Sequence, residues 1–242
     1  LRRVTIAEVG HNHNGSIEKA KELIHAAKEC GCDYAKFQLY DIDTIKKPGD
    51  TNYEELKKSQ LTKDNMYEFY EESKKAGIDF LCSVFDLTRW EWYKELGLKH
   101  VKLATRSTRI DDLYKPILES GYGVFASFSP DFNPAGGDYI FSSIPKDFDR
   151  ENVYRLYCLS RRQILQGGLA LPKEFGVDKM FIGFSDHAVG INAALEALDR
   201  GALVIEKHFT FDLNAPGWDM CSSAVPVMMK DIVDYAKELE KE

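Results

Sequence analysis

The feature that most constrains this chain is a repeated alternation. Short apolar runs, rich in Val, Ile and Phe, are followed time after time by longer amphipathic segments. Continuous apolar runs of this length mark strands buried on both faces, the condition of a parallel sheet, and parallel neighbours need a crossover between them. The runs predict strands at 4–10, 33–39, 78–84, 100–105, 121–127, 153–160, 179–185 and 202–209. The amphipathic segments predict helices at 16–31, 63–76, 87–97, 109–121, 161–175, 190–201 and 225–242. Ser16 is the expected N-cap of the first helix and Gly31 its stop, with Lys19 standing where a capping box has Glu or Gln. Two stretches depart from the pattern. Residues 40–61 read as a long polar loop. Residues 129–148 carry Pro, Gly, Asp and Ser with no helical period, so irregular chain replaces the helix after strand 5.

Eight strands in 242 residues suit a (β/α)₈ barrel, which typically takes about 250 residues. An open doubly wound sheet fits less well, and no Gly-x-Gly-x-x-Gly follows any strand. The expected class is therefore α/β, a TIM barrel forming one unit over residues 1–242. The formal net charge is -7, with Lys and Arg scattered rather than run together, which speaks against a nucleic-acid partner. No apolar stretch reaches the ~20 residues of a membrane helix. The five cysteines sit at irregular spacing without a C-x-x-C, as reduced thiols of a cytoplasmic protein do.

In such a barrel the chemistry lies where the strands end at their C-terminal side. Strand 1 delivers Glu8 and the loop His11-Asn12-His13-Asn14-Gly15. Strand 2 brings Lys36 and Gln38, strand 3 Ser83, and strand 4 Lys102 and Thr105. Strands 5 and 6 end at Ser127 and Ser160. Strand 7 ends in Ser185, Asp186 and His187, and strand 8 in Glu206, Lys207 and His208. A lysine inside an apolar strand is costly unless paired. Two of them in a ring of hydroxyls form a cradle for a phosphate and a carboxylate. The structural alternative is that each lysine pairs with a barrel glutamate such as Glu206. His187 and His208 end neighbouring strands, and two imidazoles with oxygen ligands suit Mn²⁺, Fe²⁺, Co²⁺ or Zn²⁺; each could equally be a hydrogen-bonded core residue. Glu8 and Asp219 are candidate acids or bases, or structural ion-pair partners. His11 and His13 are expected to be non-ligating loop residues, and His25 and His100 to have no role.

These residues carry a resemblance. IAEVGHNHNGSIEKAKELIHAAKECGCDYAKFQ (6–38) is similar to the opening of the N-acetylneuraminate synthase family. GFSDHAVGINAALEALDRGALVIEKHFTFDLNAPGWD (183–219) is similar to its closing barrel segment. The resemblance implies a metal-dependent (β/α)₈ synthase that condenses phosphoenolpyruvate with the open-chain aldehyde of N-acetylmannosamine or a related amino sugar, releasing phosphate. It implies His187 and His208 as ligands of a divalent metal, Mn²⁺ first, with Mg²⁺ or Co²⁺ as alternatives. It implies Lys36, Ser83, Lys102, Thr105, Ser127, Ser160 and Ser185 as phosphoenolpyruvate contacts. It places Glu8, Gln38 and Asp219 beside the acceptor, and is compatible with a homodimer.

Departures accompany it. Ser160-Arg161-Arg162-Gln163 stands where the family usually has Asn-x-Tyr-Pro. Arg162 then either binds an acceptor phosphate, by bidentate contacts a tyrosine cannot make, or caps the rim. The small antifreeze-like domain that usually follows the barrel is expected to be absent, removed or supplied by another protein. Two alternative functions stay open: a divergent metal-dependent aldolase or isomerase on the same rim, and a non-catalytic sugar- or phosphate-binding barrel.

Overall fold

The computed structural model describes residues 1–133, 138–140, 144–159 and 170–241. Eight parallel strands close into a barrel. They are β1 (Val4–Gly10), β2 (Tyr34–Leu39), β3 (Asp79–Val84), β4 (His100–Leu103), β5 (Gly123–Phe128), β8 (Val153–Cys158), β9 (Gly183–Asp186) and β10 (Val204–His208). Their order around the barrel is β1-β10-β9-β8-β5-β4-β3-β2. The expected fold class is thus found, and each strand lies within about two residues of its expected ends except β9, which starts four residues late. Thr105 is a correction, because β4 stops at Leu103 and leaves it in the following turn.

Helices wrap the outside: α1 (Ile17–Cys30), α4 (Lys63–Ala76), α5 (Leu87–Lys94), α6 (Asp111–Glu119), α7 (Asn192–Asp199) and α8 (Pro226–Glu238). Helix α1 shows why they form. Ala20, Leu23, Ile24, Ala27 and Cys30 recur at helical spacing and are buried. The Ser16 hydroxyl accepts from the Lys19 amide, and Gly31 adopts φ 86°, where its N–H closes on the Ala27 and Lys28 carbonyls. Aromatic side chains of these helices pack in the outer ring, with Phe69, Trp90 and Tyr93 buried.

Two segments differ from the sequence reading. The stretch taken as loop, 40–61, holds short helices α2 (Ile42–Ile45) and α3 (Tyr53–Ser59). Tyr40, Ile42 and Tyr53 bury together there as a satellite cluster, which a polar average hides. After β5 no α-helix occurs among the described residues up to β8. The backbone instead forms an antiparallel ribbon, β6 (Asp131–Asn133) with β7 (Asp138–Ile140). Residues 160–169, which hold most of the helix expected at 161–175, lie outside the described residues, and 170–175 are not helical.

The barrel interior is layered along the strands. Ile6, Tyr34, Leu81, Phe125, Leu156 and Val204 form an apolar cluster of their own. Side chains alternate with period two, so the next inward position on each strand is two residues further on. Those positions are Glu8, Lys36, Ser83, Ser127, Cys158 and Glu206, and all of them line one cavity. An apolar plug therefore floors a polar chamber.

Strands β9 and β10 approach closely at Gly183, where an added Cβ would lie 2.2 Å from the Val204 carbonyl oxygen and 2.7 Å from its Cβ. Gly183→Ala is expected to lower stability by about 1–3 kcal/mol, the usual cost of overpacking. Urea denaturation checks this; an unchanged midpoint would show that the two strands can part freely.

Candidate active site

The chamber opens at the C-terminal strand ends and encloses about 230 Å³. Its centre is an ion network. Lys36 Nζ lies 2.6 Å from Glu8 Oε2 and 3.5 Å from Glu206 Oε2, and donates to Ser83 Oγ at 3.0 Å. Lys102 Nζ donates to Ser127 Oγ at 2.7 Å and lies 3.7 Å from Glu206 Oε1. Ser185 Oγ donates to Glu206 Oε1 at 2.7 Å, and Gln38 Nε2 to Glu8 Oε1 at 2.6 Å. The lysines pair with barrel glutamates, as the structural alternative expected, and also face hydroxyls of Ser83 and Ser127. Glu206, seen in the sequence only as a structural partner, is the hub.

Burial and charge work against each other here. Burial would lift the Glu206 carboxyl, but Lys102, Lys36 and the Ser185 hydroxyl hold it down to about 2. Burial, helped by Glu206, lifts the Glu8 carboxyl above the ordinary range in spite of Lys36. Burial opposes charge on Lys36, yet Glu206 and Glu8 leave it raised. Lys102, whose carboxylate is farther away, is lowered by burial.

The histidines lie at one edge. The His187 and His208 rings sit 5.0 Å apart, centroid to centroid. His187 Nδ1 lies 3.3 Å from the Ser185 carbonyl and 3.9 Å from Cys158 Sγ. Burial drives the His208 imidazole down to about 3, so it is neutral and able to ligate. Its Nδ1 is buried without a hydrogen-bond partner. Its Nε2 lies 3.7 Å from Asp219 Oδ2. His187 behaves oppositely: against the effect of burial, Cys158 and Asp219 raise it to about 9, so a divalent ion held by the two imidazoles, with further positions open, would displace that proton. Among the described residues no group of three or more His, Cys, Asp or Glu converges on one point.

The structure brings Glu8, Lys36, Gln38, Ser83, Lys102, Thr105, Ser127, Ser185, His187 and His208 to the cavity, and Asp219 to the side of His208. Ser160 and Arg162 lie outside the described residues. The sequence reading missed three contributors. Cys158 lines the chamber because β8 ends there and not at Ser160. Arg106 adds a cation at the mouth. His11, expected in a passive loop, points its Nε2 at Asp219 Oδ2, 3.2 Å away, and at Glu55 Oε1, 3.4 Å away. Period-two counting back from Ser160 would have found Cys158. Nothing local marks His11, whose partners come from α3 and from the loop after β10. A larger cavity, about 370 Å³, opens at the other end of the barrel, but its Arg155 and Lys179 are matched by Asp149, Glu174 and Asp178, and nothing there resembles a reaction centre.

The sequence profile of the NeuB family matches residues 23–128 and 168–242. The chain belongs to the NeuB family. N,N'-diacetyllegionaminic acid synthase of Legionella pneumophila is 30% identical over 269 residues, spanning 97% of this chain and 71% of that one. Human N-acetylneuraminate-9-phosphate synthase is 27% identical over 254 residues, 98% of this chain and 70% of its own. Among solved structures, the N-acetylneuraminic acid (sialic acid) synthetase of Leptospira borgpetersenii superposes with a TM-score of 0.79 at 23% identity, over 100% of this chain and 85% of that one, which shows the shared fold. The match takes in six of the eight barrel strands, including both that end in the histidines. Among the described residues no helix is long and apolar enough to cross a membrane.

The depressed Glu206 value has a pH consequence. A carboxyl held below its ordinary 4.5 stabilises the fold fully above that pH and loses the contribution as pH falls toward about 2. Glu206→Gln is therefore expected to destabilise at neutral pH, with the gap to the unmodified protein closing on acidification. Urea midpoints measured across that range test it, and a gap independent of pH would count against an ionised Glu206.

Proposed function

We propose that this chain joins phosphoenolpyruvate to the open-chain aldehyde of an N-acetylmannosamine-like sugar and releases phosphate. One observation carries the reading: two buried lysines share a single chamber with the hydroxyls of Ser83, Ser127 and Ser185. A ligand with both a phosphate and a carboxylate can use both ammoniums at once. The names of the two relatives given above, both sugar-acid synthases, support the same class of reaction.

Carbon 3 of phosphoenolpyruvate forms the new bond to the aldehyde carbon, water adds at carbon 2, and phosphate leaves. Lys36 and Lys102 hold the anionic ends and, with the serines, fix the attacking carbon. Gln38, Glu8 and Asp219 orient acceptor hydroxyls. Glu8, whose carboxyl burial lifts while Glu206 is held down, is the better suited of the two to carry a proton. His187 and His208 would hold a divalent ion, Mn²⁺ by preference, which when bound polarises the aldehyde oxygen as a Lewis acid. Arg162 is the candidate reader of a phosphate on the acceptor.

The test is phosphate release in a mixture of protein, Mn²⁺, phosphoenolpyruvate and a panel of 2-acetamido sugars, free and 6-phosphorylated. Release that needs both substrates is expected; sugar turnover without phosphate release would point to an aldolase or isomerase instead. Lys102→Ala should weaken phosphoenolpyruvate binding about ten- to a hundredfold, since a charge-assisted hydrogen bond contributes about 1.5–3 kcal/mol. Calorimetric titration reads this directly, and unchanged affinity would remove Lys102 from the cradle.

A further inference from the structure

Three successive residue pairs lie side by side across β9 and β10. Ser185 stands opposite Glu206, and Asp186 opposite Lys207. His187 and His208 follow, one step further along. Because side chains alternate, the first and third pairs face the chamber and the middle pair faces the helix layer. That outward pair is nevertheless dry. The Asp186 and Lys207 side chains are both 0% exposed, with Nζ and Oδ2 2.9 Å apart. Lys207 Nζ also donates to the Ala188 carbonyl at 2.5 Å, and Asp186 Oδ1 accepts from the Ala188 amide at 2.7 Å. The residues on both sides of His187 are thus tied to the residue that precedes His208.

An ion pair in this layer is a poor choice for stability alone, because an apolar pair of similar volume does as well or better once desolvation is counted. What the pair supplies is direction: a fixed length between two strands at the level where their imidazoles emerge. We propose that Asp186 and Lys207 form a positioning pair that sets the spacing and orientation of His187 and His208. The proposal rests on the reading of those histidines as a metal site, and extends it to the support behind them, in the way outer partners commonly orient metal-binding imidazoles.

The decisive variant is the double substitution Asp186→Asn with Lys207→Met. It removes both charges, nearly preserves volume and keeps an acceptor for the Ala188 amide. Two readouts are needed. Imidazole resonances of histidine-labelled, metal-free protein are expected to move for His187 and His208 and to stay in place for His25 and His100. Mn²⁺ affinity, followed by electron paramagnetic resonance, is expected to fall at least tenfold while the unfolding transition stays cooperative. A folded double variant with unmoved His187 and His208 resonances and Mn²⁺ affinity within threefold of the original overturns the proposal. If the unmodified protein shows no Mn²⁺ binding that His208→Ala abolishes, the metal reading fails, and the metal-free resonances decide the positioning role by themselves. Should the double variant not fold, Asp186→Asn alone goes through the same two measurements.

Discussion

The ammonium groups of Lys36 and Lys102 belong to side chains only 2% exposed, and neither would be tolerable alone. Removing an ion from water costs several kcal/mol, and a buried charge persists only where opposite charge and hydrogen bonds surround it. Here Glu8 and Glu206 supply the charge, and Ser83, Ser127, Ser185 and Gln38 supply the hydrogen bonds. Two ammoniums thus face a Glu206 carboxylate held down and a Glu8 carboxyl lifted by burial, so the chamber is polarised inside. An anion paired with Lys36 would stand beside Glu8 and add to the like-charge effect of Glu206 that already helps lift that carboxyl.

The fold makes such a network affordable by placing it one step above an apolar floor. Each strand offers inward positions two residues apart, and the change from apolar to polar falls at the same level on six strands: Ile6 to Glu8, Tyr34 to Lys36, Leu81 to Ser83, Phe125 to Ser127, Leu156 to Cys158 and Val204 to Glu206. The floor keeps solvent from reaching the network from beneath. The outward positions meanwhile are apolar almost throughout, packed under the helices, which is why Asp186 and Lys207 stand out there.

Much of this was legible in the sequence because strand phase is local. An apolar run gives a strand, its end gives the rim, and a period of two gives the residues that face inward. Lys36, Lys102, His187 and His208 were found that way. What was not legible depends on which strand lies beside which, and at what register. That Glu206 serves both lysines follows from closure, which sets β10 against β1 and β9. That His11 meets Asp219 follows from the loops after β1 and β10 reaching one another. Helices α2 and α3 escaped notice because they are too short for a helical period to declare itself, and are held by the small cluster around Tyr40 and Tyr53.

The division between strands and loops also bears on substrate. Groups that would hold phosphoenolpyruvate stand mainly on strands: Lys36 on β2, Ser83 on β3, Lys102 on β4, Ser127 on β5 and Ser185 on β9. Strands of a closed barrel move little, so that half of the reaction is built into the frame. Among the groups proposed for the acceptor, Gln38 and Glu8 come from strands, but Asp219 comes from the loop after β10, held beside His11 and, through the Trp218 amide, by Glu55 of α3. Loops accept substitution that strands cannot, and in barrels of this kind they distinguish one chemistry from another on a shared frame. An identity near 30% to synthases that bear different product names fits such a division, with the proposed donor contacts in the wall and a proposed acceptor contact, Asp219, at the rim.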